Sequence, residues 1–121
     1  VKAARAGLTV SLTGPEIRKR YVYVLDFVDA LLKVPDLPAT PYDVQLITCT
    51  QQVSNLDVVE KIATLVGKPI SILSGDFSAR EFDRSDWILS ESGTPLPGWQ
   101  ARTSLVDGLR SCVEWEAKAF V

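Results

Sequence analysis

A capped helix between two strand-like segments is the feature that most constrains how this chain can fold. Residues 44–50 and 69–73 are apolar and rich in β-branched side chains, a composition typical of strands. Between them, Ser54 and Asp57 have the spacing of a capping box, and Gly67 is the residue type that usually follows a helix. A strand, a helix and a second strand in this order predict an α/β fold.

The other elements extend this alternation. Residues 8–12 alternate apolar and polar side chains, and residues 21–24 are aromatic and β-branched, so both segments are predicted to be strands. Asp26 is expected to cap a helix, and Ser104 is expected to cap the last helix after the irregular residues 74–103. The predicted order is therefore strand, strand, helix, strand, helix, strand, loop and helix.

The composition excludes several classes of protein. The chain has 121 residues, of which 46% are hydrophobic and 23% charged, as in a single globular domain. Its net charge of −2 gives no general attraction to nucleic acid. No apolar run approaches the ~20 residues that cross a membrane. Without histidine, no imidazole-based triad or metal site can form. Cys49 and Cys112 are expected to be buried thiols, which favours the reducing cytoplasm.

Positive charge is concentrated in the run Arg18-Lys19-Arg20. Runs of this kind usually lie in solvated loops. A cluster of guanidinium and ammonium groups is also the arrangement that binds phosphate through charge-assisted hydrogen bonds. From the residues alone, both interpretations stay open.

Three segments of the chain form a recognisable series. Residues 18–32 place a basic residue two positions before an aromatic one and then continue into a short apolar stretch ending in Asp26 and a helix. Residues 42–70 begin with Tyr-Asp-Val and run through Ser-Asn-Leu-Asp-Val-Val to Gly-Lys-Pro. The third segment is Asp83-Arg-Ser followed by residues 98–115, with Gly-Trp, Ser-Leu-Val-Asp-Gly-Leu and a final tryptophan. In order and spacing, these segments resemble the extended short-chain dehydrogenase/reductase family, the sugar-nucleotide epimerases and dehydratases.

The resemblance implies that residues 1–121 are the C-terminal, substrate-binding region of a Rossmann-type enzyme, an α/β fold with a small substrate-binding lobe. Residues 42–50 are then expected to form a strand that completes the sheet of a missing cofactor-binding domain. Such enzymes use NAD or NADP to oxidise a sugar hydroxyl transiently before epimerisation, dehydration or reduction. The expected partners are a nucleoside diphosphate sugar and the missing N-terminal cofactor-binding segment, with a homodimer as an open possibility.

The same resemblance implies a set of substrate-binding residues. Lys19 aligns with the basic residue that holds the nucleotide diphosphate, and Arg20 is the neighbour that could replace it. The predicted set is Lys19, Arg20, Tyr21, Tyr23, Arg80 and Arg84. Core packing is the alternative role for the two tyrosines, and plain solvation is the alternative for the cations. Trp99 and Trp115 are expected to be core anchors.

Two elements of the family's chemistry are absent from this sequence. Its seven glycines never reach the close spacing that lets backbone amides approach a dinucleotide pyrophosphate, and it contains no Tyr-x-x-x-Lys. Leu73 also stands where the family often has an arginine. We therefore expect that the chain alone binds no NAD, holds no catalytic residue and is not competent for the reaction. The alternative is a non-catalytic binding or regulatory module derived from the same fold.

Overall fold

The computed structural model describes residues 1–38, 44–74 and 93–119. Helices and short strands alternate along them, as the sequence predicts. In chain order the elements are α1 (Lys2–Ala6), β1 (Val10–Leu12), β2 (Arg18–Lys19), α2 (Val24–Lys33) with a 3₁₀ turn (Val34–Asp36), β3 (Gln45–Leu46), β4 (Val53–Ser54), α3 (Asn55–Val66), β5 (Ile72–Ser74), β6 (Thr94–Pro95) and α4 (Leu105–Ala119).

The described strands form three separate pairs. β1 runs parallel to β5, and β3 runs parallel to β6. β2 runs antiparallel to β4, with Arg18 opposite Ser54 and Lys19 opposite Val53. Parallel pairs joined through helices are the signature of an α/β protein, so the fold class predicted from the sequence is confirmed.

α3 has the boundaries and caps that the sequence predicts. The Ser54 hydroxyl accepts a hydrogen bond from the Asp57 amide at 3.0 Å, and the Asp57 carboxylate accepts one from the Ser54 amide at 3.0 Å. Hydrogen bonding to the Asp57 carboxylate, from the Ser54 amide first and the Ser54 side chain second, lowers the pKa of Asp57. The helix ends at Gly67, whose φ of +72° lies in the left-handed region that glycine adopts without strain.

Replacing Ser54 with alanine should destabilise the chain by about 1 kcal/mol, because the alanine side chain offers no acceptor to the first-turn amides. Urea unfolding measures this as a lower midpoint with an unchanged slope. The matched control is Ser71→Ala, since Ser71 is exposed and lies outside the helices. Equal midpoints for the two variants would contradict a role for the cap.

The prediction for residues 21–24 is wrong. The strand in this region is β2, which ends at Lys19, and Tyr23 is already the residue before α2. β2 is aligned by its pairing with β4, so the aromatic residues leave the sheet and lead into the helix. Aromatic and β-branched side chains favour any half-buried surface and not strands alone. The pairing between β2 and β4 therefore decides where the strand ends, against the local strand propensity.

Asp26 is not the cap of α2, which is a second correction. It lies in the first turn of the helix, and its carboxylate accepts hydrogen bonds from a loop 76 residues further along the chain. The residue at the N-cap position is Tyr23, which makes no side-chain capping bond. A carboxylate in the first turn of a helix interacts favourably with the positive end of the helix dipole, whichever groups it bonds to. The sequence pattern therefore does not distinguish a helix cap from an acceptor for a distant loop.

α4 begins after Ser104, as predicted, but its outward face differs from the prediction. Val113 and Gly108 are buried, whereas Trp115 is 68% exposed and Cys112 is also exposed. Trp115 is therefore not a core anchor within this chain, and Cys112 is not a buried thiol. The physical reason is that α4 packs on α3 with Val113 buried, while the side of α4 that carries Cys112 and Trp115 stays uncovered. Trp99 and Cys49 are half-buried.

α1 has no counterpart in the predicted elements, because five residues are too few to show a periodicity. Tertiary contacts hold it in place. The Arg5 guanidinium donates to the Val113 carbonyl at 2.9 Å and pairs with Glu116 at 2.8 Å. The Lys68 ammonium donates to the Arg5 carbonyl at 2.7 Å. α1 thus connects the end of α3 to α4.

The core of the described residues is small. Its buried apolar members are Ala4, Ile17, Ala30, Val53, Leu96 and Val113. The apolar segment predicted to be a strand at residues 44–50 is only half-buried around β3, and Val44 just before it is 56% exposed. No helix in the described part of the chain is both long and apolar enough to span a membrane.

Candidate functional site

A cavity of about 310 Å³ lies between two irregular walls. One wall consists of residues 48–51, which connect β3 to β4, and the other consists of residues 100–105, which lead into α4. Tyr21 and Val53 complete the lining. The volume falls at the lower end of the ~300–1,000 Å³ typical of small-molecule sites. Hydroxyl and amide side chains in both walls, and the Arg102 guanidinium in the second, give it a polar character.

Tyr21 is held at the cavity by its phenol. The hydroxyl donates to the Asn55 side-chain oxygen at 3.1 Å, and the Asn55 amide group donates to the Gly14 carbonyl at 3.1 Å. Partial burial raises the pKa of Tyr21, so the phenol stays protonated at neutral pH. With its hydroxyl held in this way, the ring offers a flat aromatic surface on which a sugar or base can pack.

Cys49 anchors the first wall to the backbone of Tyr21. Its thiol lies 3.3 Å from the Tyr21 carbonyl and 3.3 Å from the Gln51 carbonyl, both within reach of a sulfur donor. The thiol therefore ties residues 49–51 to the segment that leaves β2.

Asp26 fixes the second wall. Its carboxylate accepts hydrogen bonds from the Thr103 amide at 2.8 Å, the Thr103 hydroxyl at 3.0 Å and the Arg102 amide at 3.0 Å. Burial alone would raise the pKa of Asp26, but the bonds from Thr103 and Arg102 outweigh it and the pKa lies below its usual value. The ionised carboxylate thus holds residues 102–103 in position at the cavity.

The N-terminus of α4 also faces this region. The Ser104 hydroxyl accepts from the Asp107 amide at 3.1 Å and donates to its carboxylate at 2.6 Å. These contacts with Ser104, followed by the ion pair with Arg110, lower the pKa of Asp107. Arg102 carries a positive charge at the rim, and its guanidinium can form two parallel bonds to a phosphate or carboxylate.

The structure places the predicted binding residues in different surroundings. Tyr21 lines the cavity. Lys19 is half-buried in β2, and Arg20, directly after the strand, is exposed. Their neighbour Arg18 donates to the Gln52 carbonyl at 3.3 Å. Lys19 therefore sits two residues and Arg20 one residue before Tyr21, at the entrance to the segment that forms the cavity.

Tyr23 lies elsewhere, in an apolar groove of about 510 Å³ between the start of α2 and α4. Its ring packs on Gly108, where an added Cβ would lie only 3.2 Å from a ring carbon. This close packing explains why α4 has a glycine at a buried position. Arg80 and Arg84 lie outside the described residues.

Sequence reasoning missed the second wall of the cavity. Residues 100–103 carry Gln100, Arg102 and Thr103 between the Gly-Trp pair and the helix cap Ser104. A polar segment with an arginine directly before a helix N-terminus is a signal for an anion-binding surface and could have indicated these residues. Cys49 was missed as a wall residue because its apolar neighbours in the sequence predict a buried thiol. They do not indicate which groups the thiol bonds to.

Comparison with known proteins identifies the fold. No protein-family model and no curated protein matches the sequence. Among solved structures, the chain is similar to MoeE5 in complex with UDP-glucuronic acid and NAD, with a TM-score of 0.79 and 26% identity over 98% of this chain and 41% of that one. The chain has a Rossmann-like α/β fold.

Two further structures show the same likeness. The dTDP-glucose 4,6-dehydratase from Bacillus anthracis, in complex with NAD, has a TM-score of 0.72 and 20% identity, over 97% of this chain and 37% of that one. The UDP-glucose 4-epimerase from Bifidobacterium longum, with NAD⁺ and UDP, has a TM-score of 0.71 and 17% identity, over 95% and 37%. The chain therefore spans about two fifths of the length of these enzymes.

The longer helices of the described residues lack the glycine turn that a dinucleotide pyrophosphate requires. The three longer helices follow Tyr23, Ser54 and Ser104, and none of these starts has a glycine in the four preceding residues. A pyrophosphate needs bare backbone amides at such a turn, and side chains at these positions would hold it off.

Proposed function

We propose that this chain is the sugar-nucleotide-binding part of an NAD-dependent epimerase or dehydratase. The observation that carries the proposal is the likeness to MoeE5, which extends over 98% of this chain and includes 26% identical residues. That protein was solved with UDP-glucuronic acid and NAD. The polar cavity at Tyr21 supports the proposal because it offers an aromatic face, a guanidinium and a helix N-terminus to one ligand.

The residues of this chain bind and orient the nucleotide. Lys19 and Arg20 contact the diphosphate at the entrance to the cavity, Arg102 adds a third positive charge at its rim, and Tyr21 packs on the sugar or base. Arg80 and Arg84 complete the proposed set of contacts, and Tyr23 falls outside it because its ring packs on Gly108 in the separate groove. Holding a reactant in one orientation is itself catalytic, because it removes rotational freedom before the reaction begins. None of these residues moves a hydride or a proton.

The redox step of the proposed reaction belongs to another part of the same enzyme. In that arrangement, residues 1–121 form the C-terminal substrate-binding region, and residues 42–50 extend the sheet of the part that holds NAD or NADP. The enzyme works in the cytoplasm, where Cys49 and Cys112 remain free thiols as they are in the structure. Epimerisation, dehydration and reduction share this binding step, so the proposal covers the three outcomes equally.

Calorimetry on two proteins tests the proposal. The complete gene product that contains this chain should bind both UDP-glucuronic acid and NAD. The chain of residues 1–121 should bind no NAD at micromolar concentrations, because it has no glycine turn for the pyrophosphate. A micromolar NAD affinity of residues 1–121 alone, or a complete gene product that binds neither ligand, would overturn the proposal.

A further inference from the structure

The side chain of Asn55 joins the turn at residues 13–14 to the phenol of Tyr21. Its nitrogen donates to the Gly14 carbonyl at 3.1 Å and to the Thr13 carbonyl at 3.4 Å, and its oxygen accepts from the Tyr21 hydroxyl at 3.1 Å. Asn55 is the first residue of α3 and does not line the cavity. An effect of Asn55 on a ligand in the cavity therefore passes through Tyr21.

The two backbone carbonyls fix the direction of these hydrogen bonds. A carbonyl oxygen only accepts, so the Thr13 and Gly14 carbonyls require the NH₂ group of Asn55 on their side. The side-chain oxygen of Asn55 then faces Tyr21, and because this oxygen also only accepts, the phenol must donate. The phenol proton of Tyr21 is thus used by Asn55, and Tyr21 offers a ligand its ring face and oxygen lone pairs but no proton.

The turn that holds Asn55 is tightly constrained. Gly14 has a φ of +56°, in the left-handed region, and a Cβ added there would overlap the side chain of Ile17. The backbone also joins this turn to α3, because the Asn55 amide donates to the Ile17 carbonyl at 2.9 Å and the Leu56 amide to the Pro15 carbonyl at 3.0 Å. These backbone bonds do not involve the Asn55 side chain, so we expect the turn and α3 to stay together when that side chain is shortened.

The ring of Tyr21 lies where regular structure does not hold it. β2 ends at Lys19 and α2 begins at Val24, and Tyr21 between them is 39% exposed. An exposed side chain in an irregular segment samples several rotamers unless a specific contact selects one. A contact that fixes one rotamer before the ligand arrives removes part of the entropic cost of binding.

We propose that Asn55 is a positioning residue of the nucleotide site, which accepts the Tyr21 phenol proton and holds the ring at the cavity from the turn at 13–14. This inference rests on the proposed function for the identity of the ligand. It assigns a role in binding to a residue at the start of α3 that itself touches no ligand. Asn55 acts on affinity through the orientation of one aromatic ring.

A double-mutant cycle in the complete gene product separates this role from a merely structural one. Asn55→Ala and Tyr21→Phe each break the same hydrogen bond, and each should weaken the binding of UDP-glucuronic acid about three- to tenfold in calorimetry. The double variant should bind no more weakly than either single variant, because only one bond is lost. Additive losses, or an Asn55→Ala variant that binds like the parent, would overturn the proposal.

Ser54→Ala is the matched control for Asn55→Ala. Ser54 directly precedes Asn55 and caps α3, and its hydroxyl bonds to Asp57 and not to Tyr21. The affinity of Ser54→Ala for UDP-glucuronic acid should stay within about twofold of the parent, although its unfolding midpoint falls. If Ser54→Ala loses as much affinity as Asn55→Ala, the effect comes from the start of α3 in general, and the proposal is wrong.

Nuclear magnetic resonance of the ligand-free protein tests the position of the ring without any nucleotide. With ¹³C-labelled tyrosine, the Tyr21 ring signal is identified as the one that disappears in Tyr21→Phe. This signal should shift in Asn55→Ala and stay in place in Ser54→Ala. An unchanged Tyr21 signal in Asn55→Ala would contradict the proposal.

The two measurements also distinguish this inference from the proposed function. A parent protein that binds no sugar nucleotide, with a Tyr21 signal that shifts in Asn55→Ala, would overturn the proposed function and support the anchoring of Tyr21 by Asn55. A parent protein that binds UDP-glucuronic acid, with a Tyr21 signal that does not respond to Asn55→Ala, would support the proposed function and overturn the role of Asn55.

Discussion

Replacing Lys19 or Arg20 with alanine in the complete gene product is expected to weaken the binding of a nucleoside diphosphate about ten- to a hundredfold. Each substitution removes one charge-assisted contact with the diphosphate. A lost hydrogen bond to a charged group costs about 1.5–3 kcal/mol, and every 1.4 kcal/mol corresponds to about a factor of ten in affinity. The affinity for NAD should stay within about twofold of the parent, because the proposed NAD site lies in another part of the enzyme.

The matched control for these variants is Arg110→Ala. Arg110 is exposed on α4 and pairs with Asp107 three residues before it, a surface contact that contributes little to stability. The Arg110→Ala substitution removes the same charge and leaves the segment that leads to Tyr21 unchanged. Titration calorimetry with UDP and with NAD gives both affinities. If both Lys19→Ala and Arg20→Ala bind UDP like the parent, the cations at 18–20 do not contact the diphosphate, and the contact belongs to Arg80 and Arg84.

Replacing Asp26 with alanine should destabilise the chain by about 2–3 kcal/mol, the second large effect that we expect. Three hydrogen bonds from Arg102 and Thr103 lose their acceptor at once. The free energies of the three hydrogen bonds do not add up, because the donors of an accessible loop can form hydrogen bonds with water once the carboxylate is removed. Asp26→Asn keeps one acceptor oxygen and should fall between alanine and the parent. Urea unfolding measures the series.

The contribution of Asp26 should also depend on pH. Its folded pKa is lowered, so the ionised form is favoured in the folded state. The stabilisation is then fully present above the unfolded pKa of about 3.9 and is lost as the pH falls through the lower folded value. The difference in unfolding free energy between the parent and Asp26→Asn should therefore be constant near pH 7 and shrink below about pH 4.

Asp29→Ala is the control for the Asp26 series. Asp29 is an exposed carboxylate three residues after Asp26 in the same helix. Its replacement changes the charge of α2 by the same amount. It should shift the unfolding free energy by no more than about 0.5 kcal/mol. An equal effect of the two substitutions would show that the charge of α2 matters and that the contact between Asp26 and the 102–103 loop does not.

The sequence by itself determined the elements whose signals are local. The capping box of α3 joins residues three positions apart, and the glycine that ends the helix acts through its own backbone, so both could be predicted from neighbouring residues. The alternation of strands and helices, and with it the α/β class, follows from the same kind of periodicity. Tyr21 lines the cavity, and its role in binding substrate stays a prediction.

Only the tertiary structure decided where distant residues meet. β2 ends at Lys19 because β4 pairs with it there, and Asp26 bonds to a loop that no local pattern connects to it. Trp115 and the apolar side of α2 look like core residues in the sequence but are exposed in this chain. Hydrophobic periodicity specifies which side of a helix avoids water, whereas the partner that covers it depends on contacts far apart in sequence or in another part of the protein.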